Sequence, residues 1–304
     1  MPTDPKYLIL VVGPTAVGKS DLCLKLAKKF ETEILSCDSR QFYQEMNIGT
    51  AKPTKEELDM VKHHFIDNRT LDNPMNIAVY ESEALPILNK LLHTNGSAVV
   101  TGGSSQFVDA LIMGLDPIPV FPELQIQLNS ALEKKGIIEL QERLKALDLP
   151  AYETIDIQNP RRLIRALEVN IGTGKSILSF QQKKRLPRFP VKRFFIQWDR
   201  TDLYNRINFR VDQMISDGLE AEVKSLRKYK HVAELNTVGY KEWDVFFNGV
   251  ASKESVIEKI KQNSRNYAKR QLTWMNQYED LTALNPYDER SIFDQLLTVV
   301  NPSN

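Results

Sequence analysis

The 304-residue chain lacks the marks of a secreted, membrane or metal-cluster protein. It has only two cysteines, Cys23 and Cys37, and their spacing does not fit a metal-binding pair. No apolar run approaches the roughly 18 residues that a membrane-spanning helix needs, and the first residues do not form a charged-then-apolar signal. We therefore expect a cytoplasmic protein without a membrane partner, in which both thiols stay reduced.

An overall excess of charge is also missing. The chain has 40 Lys and Arg against 39 Asp and Glu, a formal net charge of +1. A global field that would attract nucleic acid or a lipid surface is therefore excluded, and any site for a polyanion must be local. With 42% apolar residues, a chain of this length can form two globular domains.

The strongest local motif is a glycine-rich loop between an apolar run and an amphipathic stretch. The run Tyr7–Val12 predicts a buried strand, and the spacing of Leu22, Leu26 and Phe30 predicts a helix. Between them lies a phosphate-binding loop, whose backbone N–H groups and following helix N-terminus would surround an anion. Lys19 would add a positive charge, and the Ser20 hydroxyl would bind a magnesium ion. The predicted anion-binding residues are Gly13, Pro14, Thr15, Ala16, Val17, Gly18, Lys19 and Ser20.

Two further strands are predicted, and one residue expected after them is missing. Glu33–Cys37 leads into Asp38, and Ser97–Thr101 leads into a Gly-Gly-Ser-Ser segment. Ligands of open parallel sheets lie at the carboxyl ends of strands, so Asp38 should lie beside the phosphate loop. A nucleoside-triphosphate hydrolase would usually carry a magnesium-binding aspartate after such a strand. Its absence after Thr101 argues against a motor or a switch.

The order of these elements predicts an α/β fold with two domains. We expect a P-loop-containing parallel-sheet core with helices on both faces, formed by residues 1–115 and 191–304. A proline-rich linker starts at Asp116, helical patterns follow, and strand character returns at Phe194–Trp198. Residues 116–190 are therefore predicted to form an inserted, mainly helical domain.

This insertion carries a local surplus of positive charge. Between Asn159 and Arg193 there is one acid, Glu168, against ten basic residues. A solvated charged face and a nucleic-acid-binding surface both fit this composition, and the scarcity of acids favours the second. The ten residues are Arg161, Arg162, Arg165, Lys175, Lys183, Lys184, Arg185, Arg188, Lys192 and Arg193.

Two later helices carry further cations. The helix predicted over Leu203–Glu222 places Arg206 and Arg210 one turn apart on one face, where they are either exposed to solvent or directed at the phosphate site. The helix predicted over Glu258–Met275 carries basic residues four apart: Lys261, Arg265 and Lys269. A nucleic-acid-facing helix and an ordinary surface helix fit that spacing equally well.

Several segments together resemble one enzyme family, the tRNA dimethylallyltransferases. They are GPTAVGKS, DSRQFYQEMNIGTAKP, HHFID, TGGSSQF, RRLIRALEV, NFRVDQMISDGLEAEV, TVGYKE and YAKRQLTW, in this order. The resemblance extends from the phosphate loop to about Asn276. The combination of DSxxxY…IGTAKP with AKRQxTW is far more specific than the phosphate loop alone.

The resemblance implies a reaction and its partners. A dimethylallyl group would pass from dimethylallyl diphosphate to the N6 amine of adenosine 37 in tRNA, with release of diphosphate. This adenosine lies in the anticodon stem-loop, directly 3′ of the anticodon. Mg2+ would be required, and we expect a monomer. Asp38 would be the base, with Lys19, Arg206 and Arg210 binding the diphosphate. The family's tRNA contacts fall on Asp38, Ser39, Arg40, Gln41, Ser104, Arg161, Arg162, Leu163, Ile164 and Arg165.

The chain departs from the family pattern at some positions, and other functions stay open. The family usually has Thr-Gly where Ser104-Ser105 stand, and Arg40 replaces a small residue beside the base. A tRNA-contacting arginine expected after the proline linker is replaced by Gln125 or Ile126. The alternatives are an isopentenyltransferase acting on free adenine nucleotide and a P-loop kinase or switch that binds nucleoside triphosphate.

Overall fold

The computed structural model describes residues 6–181 and 185–300 and divides the chain into two compact units. The first unit comprises Met1–Gly114 and Pro187–Asn304, and the second comprises Leu115–Leu186. The boundaries expected from the proline linker and the returning strand are 116 and 190. Lys183 and Lys184 of the basic stretch lie outside the described residues.

A six-stranded sheet forms the centre of the first unit. Within the described residues every strand pair is parallel, and the spatial order is β3-β2-β4-β1-β5-β6. The strands are β1 Tyr7–Val12, β2 Ile34–Ser36, β3 His63–His64, β4 Ser97–Gly102, β5 Val191–Ile196 and β6 Leu281–Leu284. The carboxyl ends of β2, β4, β1 and β5 therefore meet along one edge of the sheet.

Helices cover both faces of this sheet. The α-helices of the described residues are α1 Lys19–Lys29, α2 Lys55–Met60, α3 Ile77–Asn95, α4 Ser105–Met113, α5 Pro122–Lys135, α6 Ile137–Leu147, α7 Leu149–Thr154, α8 Pro160–Thr173, α9 Arg200–Ser216, α10 Leu219–Ser225, α11 Asp244–Phe247, α12 Lys253–Met275 and α13 Ile292–Val300. Of these, α5 to α8 belong to the second unit. An apolar core lies on each face of the sheet, and alternate residues of β1 point into one or the other. Leu8 and Leu10 pack with α3 and α4, whereas Ile9 and Val11 pack with α1 and α13.

The predicted fold class is confirmed, and the local differences have physical reasons. β5 starts three residues earlier than the predicted Phe194, because its first residues pair with β1 although they are only half-buried. The predicted helix Leu203–Glu222 is divided at Gly218, whose φ of 100° lies in the left-handed region. β3 and β6 were not predicted, since two and four residues carry too little periodicity.

The second unit is a small helical assembly of α5, α6, α7 and α8. Leu128, Leu140, Leu144, Leu163 and Leu167 form the centre of its apolar core. Glu168 is fully buried in this unit. Its carboxylate accepts hydrogen bonds from the Phe121 N–H (2.6 Å), Gln125 Nε2 (2.9 Å) and Arg165 (2.6 Å).

In the described parts of the chain, no helix combines the length and the apolar character needed to cross a bilayer.

Replacing Glu168 with Ala should strongly destabilise the second unit. The substitution removes three hydrogen bonds and leaves the Arg165 charge half-buried without its acid. Removal of one partner of a buried pair costs roughly 3–5 kcal/mol. Urea denaturation followed by hydrogen exchange of residues 115–181 measures the loss. Glu142→Gln, an exposed substitution in α6, is the control; equal stability of the two variants would contradict the prediction.

Candidate active site at the carboxyl edge of the sheet

A cavity of about 600 Å³ opens at the carboxyl ends of β1, β2 and β4. All of its lining comes from the first unit. The lining segments are residues 15–20, 38–41, 49–51, 101–103 and 237–240, together with parts of α9 and α12. The phosphate loop, Asp38 and both arginines of α9 therefore share one cavity. The strand-end argument predicts this position for Asp38, whereas the sequence left the direction of the two arginines open.

The phosphate loop has the backbone of an anion cradle. Gly13 and Gly18 adopt positive φ angles of 146° and 101°, and Ala16 also does, at 68°. The carbonyl of Ala16 accepts from Arg206 Nε at 2.8 Å, and that of Val17 accepts from Trp198 Nε1 at 3.0 Å. The N-cap residue of α1 is Gly18, which has no side chain to cap the helix. The first N–H groups of this helix and its positive dipole end are consequently suited to an anion.

Lys19 is folded against its own loop. Its Nζ donates to the carbonyls of Gly13 (2.9 Å) and Pro14 (2.6 Å). Burial, the largest cause, and the charge of Arg210 together lower the pKa of Lys19 from 10.5 to about 8, while the charge of Asp38 acts in the opposite direction. The ammonium is thus a desolvated charge that an incoming anion would stabilise.

The two arginines of α9 have different environments. Arg206 bonds the phosphate loop and stacks its guanidinium 4.3 Å from the centre of the Trp198 ring, so it stabilises the shape of the loop. Arg210 has a buried Nε with no hydrogen-bond partner in the described chain. Burial lowers the pKa of Arg210, and Asp38 opposes this effect. An unpaired buried donor on a cation is a strong attraction for an anion in the cavity.

Asp38 and its neighbours form a tight turn after β2. The Asp38 carboxylate accepts from the Arg40 N–H at 3.0 Å. The N–H of Ser39 donates to Ser104 Oγ at 3.1 Å, so the hydroxyl of Ser104 supports this turn and is not free in the cavity. Gln41 also bonds within the protein, through its amide to the carbonyls of Thr50 and Ala51.

The five predicted tRNA contacts of the second unit differ in exposure. Arg161 and Arg162, in the first turn of α8, are exposed. Leu163 is 0% and Ile164 7% exposed, so their side chains belong to the core and cannot contact RNA. Arg165 is held by Glu168 and by the carbonyl of Ile118 at 3.1 Å, which makes it a structural cation. The helical period of α8 turns these three side chains inward.

Much of the basic surplus is likewise neutralised by acids distant in sequence. Arg185 pairs with Asp116, Arg188 with Glu81 and Arg193 with Asp280. Two of the three cations predicted on α12 contact α9: Lys261 pairs with Asp212 (2.8 Å), and Arg265 donates to Asn208 Oδ1 (2.6 Å). Lys269 is exposed. The composition of the segment overstated its free positive charge, because ion pairs between distant residues are not visible in a local count.

Some residues of the cavity had no predicted role. Gln271 accepts from the Thr15 N–H (3.3 Å) and donates to the Gly103 carbonyl (3.0 Å), joining α12 to two loops. A side chain at Gly103 would overlap Gln271, since a Cβ there would lie 1.9 Å from its Nε2. Tyr267 also lines the cavity, and burial together with Asp38 raises its pKa to about 12. Tyr267 and Gln271 both lie in the motif YAKRQLTW, although the sequence does not assign these roles to them.

The cavity offers hard oxygen donors for a metal ion, but few of them. Ser20 and Thr101, which carry hydroxyls, are part of its lining, and the Thr101 hydroxyl donates to the carbonyl of Val11 at 3.2 Å. Among the described residues, no group of three or more His, Cys, Asp or Glu side chains could hold a metal by itself. This donor set fits Mg2+ held by ligand phosphate oxygens and water with one protein hydroxyl, and does not fit a metal held by the protein alone.

Fold and site together define a class. A parallel sheet with a phosphate-loop motif, buried cations and one nearby carboxylate at its carboxyl edge is typical of a P-loop-type α/β protein. A family model described as IPP transferase matches residues 41–278. The tRNA dimethylallyltransferase of Christiangramia forsetii is 44% identical over 299 residues, covering 97% of this chain and 99% of that protein. This chain belongs to the tRNA dimethylallyltransferase family and is a transferase.

Other relatives and solved structures agree with this assignment. The tRNA dimethylallyltransferase 1 of Bacteroides thetaiotaomicron is 43% identical, covering 97% of this chain and 96% of that protein. The structure of a full-length tRNA isopentenylpyrophosphate transferase from Bacillus halodurans is similar, with a TM-score of 0.70 and 33% identity over 98% of this chain and 95% of the other. A eukaryotic dimethylallyltransferase acting on tRNA has a TM-score of 0.83 at 23% identity, covers 97% of this chain and 79% of its own, and supports the fold alone.

Anion binding should weaken as pH rises through the pKa of Lys19. The ammonium is present below about pH 8 and lost above it, so inorganic diphosphate should bind more weakly at pH 9 than at pH 7, by about tenfold if only the charged form binds. Isothermal titration measures the affinity. Lys19→Met corrects for the titration of diphosphate itself, and a variant profile as steep as that of the wild type would contradict the assignment.

Proposed function

We propose that this protein transfers a dimethylallyl group from dimethylallyl diphosphate to the N6 amine of adenosine 37 in tRNA, with release of diphosphate. The observation that carries this proposal is the joint placement of Asp38, Lys19 and Arg210 in one cavity. A proton acceptor beside buried cations suits a reaction in which an amine loses a proton while a diphosphate departs. Family membership supports the same reaction.

The donor diphosphate would occupy the phosphate loop. As the bond between C1 of the dimethylallyl group and the diphosphate oxygen breaks, negative charge grows on that oxygen. The N–H groups at the start of α1, Lys19 and the free Nε of Arg210 would stabilise it. Binding should release Lys19 from the carbonyls of Gly13 and Pro14 and turn its Nζ toward the anion. Arg206 would act indirectly, because it donates a hydrogen bond to the carbonyl of Ala16 and so holds the phosphate loop.

The acceptor adenine would approach from the side of Asp38. Its exocyclic N6 is a weak nucleophile, because its lone pair is delocalised into the ring. As N6 bonds to C1, the amine must lose a proton, and the Asp38 carboxylate would take it. The base must leave the anticodon-loop stack to reach a cavity of this kind.

Mg2+ would be held by the diphosphate oxygens and the Ser20 hydroxyl, and would supply charge neutralisation to the leaving group. Thr101 is another hydroxyl-bearing residue of the cavity lining.

The tRNA would be bound by the Asp38–Gln41 turn and by exposed cations of the second unit. Arg161 and Arg162 remain candidates for phosphate contacts, whereas Leu163, Ile164 and Arg165 support the helix that carries them. The helical second unit also argues against free adenine nucleotide as the acceptor, since a small acceptor needs no such unit. A label from dimethylallyl diphosphate that appears in AMP, and not in tRNA, would favour that alternative.

The direct test is to incubate the protein with unmodified tRNA and labelled dimethylallyl diphosphate, digest the RNA and identify the labelled nucleoside. Label in N6-dimethylallyladenosine at position 37 is expected. Micromolar binding of ATP without any transfer would instead indicate a kinase or a switch.

Asp38→Asn should lower turnover by roughly 10²–10⁴-fold, because the amide cannot accept the N6 proton. Its oxygen can still accept from the Arg40 N–H, so the turn and the tRNA affinity should stay close to those of the wild type. Single-turnover kinetics and filter binding measure the two quantities. Asp21→Asn, an exposed substitution in α1, is the control, and near-full activity of Asp38→Asn would exclude the base assignment.

Replacing both Arg161 and Arg162 with Gln should weaken tRNA binding and flatten its salt dependence. Each lost phosphate contact should reduce the slope of log K against log salt by about one. Binding is measured between low and moderate salt, with Lys134→Gln as an exposed control in the same unit. A slope equal to that of the wild type would indicate that these arginines face solvent and do not contact tRNA phosphates.

A further inference from the structure

One wall of the cavity is made of two segments that are distant in sequence. Residues 49–51 and 237–240 both line the cavity, and they meet where Gly49 packs on the ring of Tyr240. A Cβ at Gly49 would lie 2.5 Å from that ring, so no side chain fits there. This wall depends on contact between the two segments, and neither segment belongs to a strand or a long helix.

A single carboxylate, that of Glu222 in α10, joins the two segments. Its Oε2 accepts from the N–H groups of Asn47 (2.9 Å) and Ile48 (2.7 Å). Its Oε1 accepts from the Gly49 N–H (3.1 Å) and from the Tyr240 hydroxyl (2.7 Å). A carboxylate has about four lone-pair directions, and this one uses all of them. Burial and Glu222 raise the pKa of Tyr240, which therefore remains a donor.

Further hydrogen bonds lead from this wall to the turn that carries Asp38. Gln41 Nε2 donates to the carbonyls of Thr50 (3.3 Å) and Ala51 (3.2 Å). Gln41 Oε1 accepts from Ser36 Oγ at 3.2 Å, and Ser36 Oγ accepts from the Asp38 N–H at 3.2 Å. A continuous set of contacts thus connects α10 with the backbone of the proposed base.

We propose that Glu222 is a positioning residue. It fixes residues 47–51 and Tyr240 as one wall and, through Gln41 and Ser36, sets the position of Asp38. Glu222 is not among the residues that line the cavity, so it acts through the groups that it binds. The inference rests on the proposed function for the role of Asp38, whereas the wall itself can be tested without any activity.

Hydrogen exchange tests the wall directly. In Glu222→Gln an amide –NH2 replaces one carboxylate oxygen and opposes N–H groups that need an acceptor. Exchange at residues 47–49 should become faster, while exchange in β4 stays unchanged. The matched control is Glu220→Gln on the same helix, where Glu220 pairs with Lys253 at 2.6 Å. Unchanged exchange at residues 47–49 in Glu222→Gln would overturn the proposal.

Kinetics test the consequence for the base. Displacement of a catalytic group by about 1 Å can lower the rate roughly 10²-fold, so Glu222→Gln should lower kcat with tRNA by about 10- to 100-fold. Its affinity for inorganic diphosphate should match the wild type, because the phosphate loop lies outside the set of contacts. Glu220→Gln should keep wild-type kcat. An equal loss of diphosphate affinity and kcat would indicate general destabilisation and overturn the positioning role.

Double mutants separate positioning from simple loss of stability. Tyr240→Phe removes one of the four bonds to Glu222 and should lower kcat less than Glu222→Gln does. In the Glu222→Gln background, Tyr240→Phe should cost little more, because groups in one network are not additive. Fully multiplicative effects would overturn the proposal. Tyr240→Phe also serves if Glu222→Gln does not fold.

The two levels of inference fail in different ways. A wild-type protein that transfers no label to tRNA would contradict the proposed function, and exchange at residues 47–49 would still decide whether Glu222 holds the wall. A wild-type protein that does transfer label, together with a fully active Glu222→Gln, would overturn the role of Glu222 alone.

Discussion

The structure depends on the placement of desolvated positive charge beside one carboxylate. Lys19 and Arg210 are held out of water in the same cavity as Asp38, and neither forms an ion pair with an acid at close range among the described residues. Charge buried in this way is costly unless a counter-ion arrives. The surrounding elements offset part of this cost. The carbonyls of the phosphate loop accept hydrogen bonds from Lys19. The loop itself is held by Trp198 and Arg206, and by Gln271 of α12. Together they hold the two buried cations and the phosphate loop in place.

The sequence predicts the sheet core and the first half of the site well. β1 and β4 are marked by continuous apolar runs, and the loop after β1 carries glycines where positive φ angles occur. Asp38 follows from the rule that parallel strands end at one edge. The helix period also places Arg206 and Arg210 on one face of α9. All of these features depend on local spacing, which a single sequence contains.

The second half of the site depends on contacts between distant residues. Gln271 meets Thr15 across 256 positions, and Glu222 meets Asn47 across 175. No periodicity marks such a pair. The same limit applies to Arg165, which composition marks as a free cation, because its guanidinium also donates to the carbonyl of Ile118, 47 positions away. A charge count gives the number of basic residues in a segment, whereas burial and ion pairing decide how many of them are accessible to a partner.

The order of strands in the sheet has a consequence for synthesis on the ribosome. β1 lies between β4 and β5, and β5 follows the entire second unit in the chain. A nascent chain that has emerged as far as β4 already contains the phosphate loop and Asp38, but it lacks α9 and α12 and therefore the cavity. Domains generally form as units during synthesis. The helical second unit can therefore complete its own core while the sheet is still open on one side, and the cavity closes only when the last third of the chain has been made.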